Sequence, residues 1–319
     1  MSMSLSPSAA GTTPGGANTP SGPSAPAFAV GTELPTKRKV IGALQRGAVY
    51  LGAGLTTAVL VFIVGYILVM GVPHITPSLF SWEYTTDNVS LLPALINTVL
   101  MALLSLLIAV PFGVGSAIFL VEYAKRGSKF VNLVRVTTET LQGIPSIIYG
   151  LFGMLFFVKA LGMGLSLMSG ALTLAIMVLP VIMRTAEEAL MAVPDAYREG
   201  GFGLGAGRLR TVFHCVLPSA VPGILGGVVL ALGRCVGEVA ALIFTAGSIA
   251  AVPNFSSEGL FALFDSTRTL AVHMYVLASE GLHVNETYAT AVVLLVLVVC
   301  LNMLATAAAK TTSKGVDND

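Results

Sequence analysis

Charge is what this sequence is short of. Asp, Glu, Lys and Arg make up 10% of its 319 residues, where a soluble globular domain carries roughly a quarter. A chain that is 55% hydrophobic, with a mean hydropathy of +0.86, cannot cover its surface with polar groups, so its solvent is lipid. The net charge of +1 gives no electrostatic case for a nucleic-acid partner or an acidic substrate. Cysteine is scarce too: Cys215, Cys235 and Cys300 have no pairing or metal-ligand spacing and read as apolar thiols. His74, His214, His273 and His283 form neither HExxH nor H-x3-H, so no metal site is expected. There is no G-x4-G-K-[ST] phosphate loop, so ATP is not expected to bind this chain. The glycine run Gly203-Leu204-Gly205-Ala206-Gly207 has no βαβ unit around it and is not a dinucleotide fingerprint. No Ser/His/Asp or Cys/His set has a supporting context, so no catalytic residue is assigned and the chain is not expected to be an enzyme.

What is present is a series of uncharged runs. Residues 1–40 open the chain as a Ser/Pro/Gly/Ala-rich stretch, expected to be a disordered cytoplasmic tail because it has too little apolar surface to offset its ordering entropy. A first span follows within residues 46–72. Further spans lie within 88–121, 140–158 and 160–183. A fifth starts at 211 and continues past Arg234 to about Phe244, and a sixth covers 287–309. The expected fold class is an all-α integral membrane protein of six transmembrane helices. The third run is broken by Gly143 and Pro145, a pattern tolerated in membranes where backbone is buried in protein or lines a wet path. Loop charges set the orientation. One side collects Lys37, Arg38, Lys39, Arg46, Lys125, Arg126, Lys129, Arg135, Arg184, Arg198, Arg208, Arg210, Lys310 and Lys314, while the other has Lys159 and Arg268. Basic loops stay inside, which puts both termini, including a tail at 310–319, in the cytoplasm and the loops 73–90, 159–168 and 245–285 outside.

Two charges lie inside the fifth span. Arg234 and Glu238 stand four residues apart, a spacing that puts both on one face of a continuous helix. A charge at that depth costs about 2.5–3.5 kcal/mol and is expected to face an interior or a path. Arginine's planar fork suits a tetrahedral oxyanion. A carboxylate beside it can accept a hydrogen bond from a protonated phosphate oxygen, which sulfate lacks. A structural pair that neutralises itself or bonds to a partner subunit is the alternative. Asn97, Tyr149 and Glu139 are weaker candidates for the substrate path, and Arg268 is expected as a solvated loop charge that could also meet a binding protein.

The segment between the fourth and fifth spans, about residues 192–218, carries the most specific motif. It reads Glu199-Gly200-Gly201, three residues, Gly205, nine residues, Cys215, one residue, Leu217-Pro218. This resembles the EAA loop of ABC-importer permeases, with glycines for the two alanines and Cys215 for the isoleucine. With the runs LPALINTVLMALLSLLIAVPFGVGSAIFLVEYA, QGIPSIIYGLFG, VPDAYREGGFGLGAG, LPSAVPGILGGVVLALGRCVGE and HMYVLASEG, the likeness covers residues 90–308 and points to phosphate-transport permeases of the PstA kind, within the type I ABC-importer transmembrane family. The resemblance implies the type I permease fold and a role as half of a phosphate pathway. It also implies coupling to an ATPase through Glu199, Gly205, Ala206, Leu217 and Pro218. Its implied partners are a PstC-like sister permease, a PstB-like ATPase dimer holding ATP and Mg, and a PstS-like phosphate-binding protein. Two other readings stay open: the same fold carrying sulfate, molybdate or an amino acid, and a secondary transporter, which the absence of an evident inverted repeat disfavours.

Overall fold

A computed structural model describes residues 36–125 and 127–316, and within them all regular structure is helical. The expected tail up to residue 35 lies outside them. The chain divides into two compact units, Met1–Leu60 and Val61–Asp319. Helix α1 runs Thr36–Gly71, so the last five residues assigned to the tail are helical: after Pro35 the sequence TKRKVIGALQR holds no proline to stop a helix. Next come α2 (Leu92–Ile118), α3 (Lys129–Gln142), α4 (Ser146–Gly153), α5 (Leu167–Ala192), α6 (Asp195–Gly203), α7 (Arg208–Thr211), α8 (Leu217–Val236), α9 (Ala240–Thr245), α10 (Phe255–Glu258), α11 (Leu270–Glu280) and α12 (Val284–Val316). α7 joins α8 through a π-turn at Val212–Val216, and α4 continues in a π-turn to Ala160.

Five stretches are long and apolar enough to cross a membrane: Ile41–His74, Leu92–Tyr123, Leu167–Ala192, Arg208–Val236 and Val284–Ala307. A sixth crossing is the bent pair Lys129–Gln142 and Ser146–Ala160, which turns by 99° at its break. The six-span count therefore holds with that pair taken as one. The bend falls at Gly143–Pro145, because Pro145 supplies no backbone N–H and keeps the residue before it out of the helical region.

Three boundaries differ from the expectation. The third span was read as 140–158, but the bent pair starts at Lys129. The fourth span was read as 160–183, but Gly162 and Gly164 adopt positive φ, and the helix starts only after the Ser166 hydroxyl has capped the Ser169 N–H. At the other end it runs on through Arg184, Glu187 and Glu188, since Glu187 meets Arg135 of α3 at 2.5 Å and Arg184 meets Glu188 at 2.8 Å. The segment 192–218 is also less loop than expected. It holds α6, a short turn, and the first ten residues or so of the helix that becomes the fifth span.

The core of the second unit is built around α5. Ala171, Leu174, Val178 and Ile182 recur at helical spacing with essentially no exposure, packed against α2 on one side and α8 on another, with α12 against α8. Close approach is possible because facing positions are small. A side chain at Gly150 of α4 would stand 2.8 Å from the Ala241 Cα of α9, and Gly153 leaves no room beside Thr173 and Thr245. α4 is thereby seated on α9, next to the charged residues of the fifth span.

Candidate functional site

The fifth span does not carry Arg234 and Glu238 on a shared helical face. α8 ends at Val236, Gly237 closes it, and residues 237–239 are non-helical before α9 begins. Arg234 occupies the last turn of α8, where a cation meets the negative end of the helix dipole. Glu238 stands in the break, and its Oε1 accepts a hydrogen bond from the Ala241 N–H at 3.1 Å, capping α9. The break is held by that carboxylate, which satisfies an orphan donor of the new helix. Among the described residues Arg234 has neither a hydrogen bond nor an ion pair, although it is half-buried in a spanning segment. The buried Tyr149 lies within the electrostatic reach of Arg234, and its hydroxyl donates to the Leu141 carbonyl at 2.8 Å, bridging α4 to α3 across the bend. Asn302 of α12 approaches Gly233, and its Oδ1 is buried without a partner. The structure thus brings Arg234, Glu238 and Tyr149 to one break between helices.

It does not bring Asn97 or Glu139 there. Asn97 is fully buried and donates to the Ala251 and Arg268 carbonyls at 2.8 and 3.4 Å, holding the segment after α9 onto α2. Glu139 is largely exposed on α3, 3.9 Å from Arg184. Arg268 is also not a solvated loop charge. It is 9% exposed, donates from Nε to the Ser248 carbonyl at 2.7 Å, faces the His273 Nδ1 at 3.2 Å, and lies over the Tyr84 ring at 5.3 Å. Its burial was invisible in sequence because its partners come from three separate segments.

This packing has a consequence for stability. Burial of His273, and then the Arg268 charge beside it, push the imidazole pKa down from 6.5 to about 4. The folded state then binds fewer protons than the unfolded chain between those two values. His273 therefore contributes stability that is present above pH 6.5 and lost as pH falls towards 4, about 3 kcal/mol over the window. Thermal unfolding in detergent should show a lower midpoint at pH 4.5 than at pH 7.5, with a shallower slope for His273→Gln, whose amide oxygen can still accept from Arg268. Equal slopes for the two proteins would contradict the assignment.

The coupling candidates separate into two groups. Glu199 is exposed on α6, and Gly205 and the half-buried Ala206 form the turn after it. Gly205 has φ +80, and the turn closes through Gly205 N–H to the Phe202 carbonyl at 2.9 Å and Ala206 N–H to the Gly201 carbonyl at 3.0 Å, a Schellman cap that favours glycine at the left-handed position. Leu217 and Pro218 lie instead at the start of α8, more than two turns along the helix from Arg208, where Leu217 packs on a buried cluster of α2, α5 and α8. Sequence reasoning missed Arg198 and Glu122. Arg198 donates to Glu122 Oε1 from Nε at 3.1 Å and from Nη2 at 2.8 Å, although 76 residues separate them.

Comparison with known proteins places this geometry in context. Residues 109–317 match the family described as binding-protein-dependent transport system inner membrane component. The probable ABC transporter permease protein YqgI of Bacillus subtilis (strain 168) is 35% identical over 258 residues, 77% of this chain and 86% of that protein. The phosphate transport system permease protein PstA of Mycobacterium leprae (strain TN) is 31% identical over 217 residues, 67% of this chain and 68% of that one. Among solved structures, a bacterial ABC transporter involved in import of the acidic polysaccharide alginate superposes with a TM-score of 0.58 at 15% identity, covering 86% of this chain and 99% of that one.

Proposed function

This chain belongs to the family of binding-protein-dependent transport system inner membrane components, as a type I ABC-importer permease, and from that premise we propose that it forms half of the transmembrane pathway of an ATP-driven inorganic phosphate importer. The observation that carries the substrate is Arg234: a half-buried guanidinium in a spanning segment, without an acceptor among the described residues, beside a carboxylate that is itself engaged in capping α9. A dehydrated phosphate needs a cation in a dry passage, and a planar fork of donors matches two of its oxygens. Glu238 keeps an oxygen free to accept from a protonated phosphate, and its charge keeps the binding weak enough for release. The PstA relative supports the same cargo. In this reading both termini are cytoplasmic, which the distribution of basic loops supports, and α6 with Glu199 and Gly205 faces a PstB-like ATPase dimer that supplies ATP and Mg. Leu217 and Pro218 support that segment from the first turn of α8. A PstC-like sister subunit completes the pathway and a PstS-like protein delivers phosphate from outside.

The test is uptake of labelled phosphate into proteoliposomes holding the full complex, with ATP hydrolysis measured alongside. Phosphate is expected to stimulate hydrolysis and to accumulate, while sulfate and molybdate do neither. Stimulation by sulfate or molybdate and not by phosphate would replace the cargo, and phosphate movement without any ATPase would replace the mechanism.

A further inference from the structure

The ion pair beneath α6 has a geometry that a surface salt bridge does not need. Arg198 is 14% exposed and Glu122 is 7% exposed. Besides the two bonds to Glu122, the guanidinium donates from Nη2 to the Leu190 carbonyl at 2.9 Å, and from Nη1 to the Val193 carbonyl at 2.9 Å and to Asp195 Oδ1 at 3.1 Å. Leu190 lies in the last turn of α5 and Val193 directly after it, so Arg198 satisfies carbonyls that the end of a helix leaves without partners. Glu122 sits in the π-turn that ends the second span. One side chain of α6 therefore joins the ends of two membrane helices.

The rest of the surroundings makes that junction the connecting element. A cavity of about 930 Å³ opens beside the pair, lined by Lys125, Arg135, Phe202 and Arg208 among others, so α6 is not packed solidly against α2 and α3. Its other end is seated directly: Gly201 is buried, and a side chain there would stand 2.7 Å from Thr211, in the helix that leads into the fifth span. Tyr197, Glu199 and Phe202 of α6 and Leu204 after it stay exposed. A load applied to that exposed face reaches α2 and α5 through the Arg198 guanidinium.

We propose that Arg198, with Glu122, is the positioning residue through which movement of α6 drives the spans α2 and α5. The proposal rests on the reading of α6 as the segment that meets the ATPase. Lysine cannot replace the arginine, because a point ammonium cannot hold a carboxylate and two carbonyls in one plane.

The experiment uses the complete importer complex in proteoliposomes, with inorganic phosphate as the probe and uptake per ATP hydrolysed as the readout. Arg198→Gln leaves a buried carboxylate without a partner and can lower assembly, so the double variant Glu122→Gln/Arg198→Gln, which removes both charges together, accompanies it. The exposed face of α6 is unchanged, so the ATPase should co-purify and hydrolyse ATP, while phosphate carried per ATP falls by about tenfold or more, within the usual range of a coupling free energy. Arg198→Lys should recover only a fraction. A normal ratio in the assembled double variant overturns the proposal, as does a loss confined to yield and thermal stability with the ratio intact. No uptake by the parent complex overturns the reading of the importer itself, and this proposal with it; a normal parent beside a normal double variant overturns this proposal alone.

Discussion

Arg234→Gln is expected to abolish phosphate uptake in a complex that still assembles. The arginine is half-buried at the end of α8, and no acceptor among the described residues holds it, so its loss leaves no orphaned partner there and costs the fold little. In the proposed pathway its loss is a different matter. Removing one member of a dehydrated, hydrogen-bonded charge pair costs about 2–5 kcal/mol, here the pair of guanidinium and phosphate, which lowers uptake on the order of a hundredfold. Arg234→Lys should restore a part, since the charge returns without the parallel donors. Glu238→Gln isolates the carboxylate charge, because the glutamine oxygen can still accept from the Ala241 N–H and keep α9 capped. The double variant Arg234→Gln/Glu238→Gln decides between transport and structure. A pair kept only for mutual neutralisation would tolerate joint removal. Since the two side chains form no ion pair, the double variant should be as inactive as Arg234→Gln, measured as labelled phosphate normalised to assembled complex. Substantial uptake would take Arg234 out of the path.

How much of this was legible in the sequence depended on how local each cause is. Membrane spans were legible where they rest on a long uncharged run, which is in the sequence itself, whereas α3, the charged first half of the bent crossing, was not. The bend at Gly143–Pro145 was legible because its cause is equally local: the backbone limits of one proline produce it. The break after Val236 was not, although its signal is present. Gly237 followed by a carboxylate three residues before an available N–H is a stop and a cap, but inside an apolar run it reads as a continuous span with two charges. The end of α5 was hidden because charges at 184, 187 and 188 stop a span on paper, whereas Arg135 of α3 meets Glu187 and lets the helix continue. Arg198 and Arg268 were hidden most thoroughly. Both read as loop cations, and both become buried because acceptors 76 residues away in one case, and on separate segments in the other, surround them.

Gly150→Leu should be the most damaging single change at the packing of this site. The position faces backbone: a Cβ there would lie 2.8 Å from the Ala241 Cα and 3.1 Å from the Ala240 and Ala241 carbonyl oxygens. Backbone atoms cannot rotate aside as a flexible side-chain tip can, so α4 and α9 must separate. Forcing extra volume into a packed contact costs about 1–3 kcal/mol and occasionally more, and leucine adds four carbons, so about 3 kcal/mol or more is expected. The damage should not stop at stability. α9 carries the Ala241 N–H that Glu238 caps, and Tyr149 adjoins residue 150, so moving α9 shifts the break that holds Arg234 and Glu238. Gly150→Leu should therefore lower both the yield of assembled complex and the uptake of the fraction that assembles. Gly115→Leu in α2 serves as the control, since nothing lies within 4 Å of a Cβ there. That variant should assemble and transport as the parent does. Thermal unfolding of the purified complexes and phosphate uptake per complex measure the two effects. Equal behaviour of the two variants would mean that α4 and α9 do not depend on their close approach.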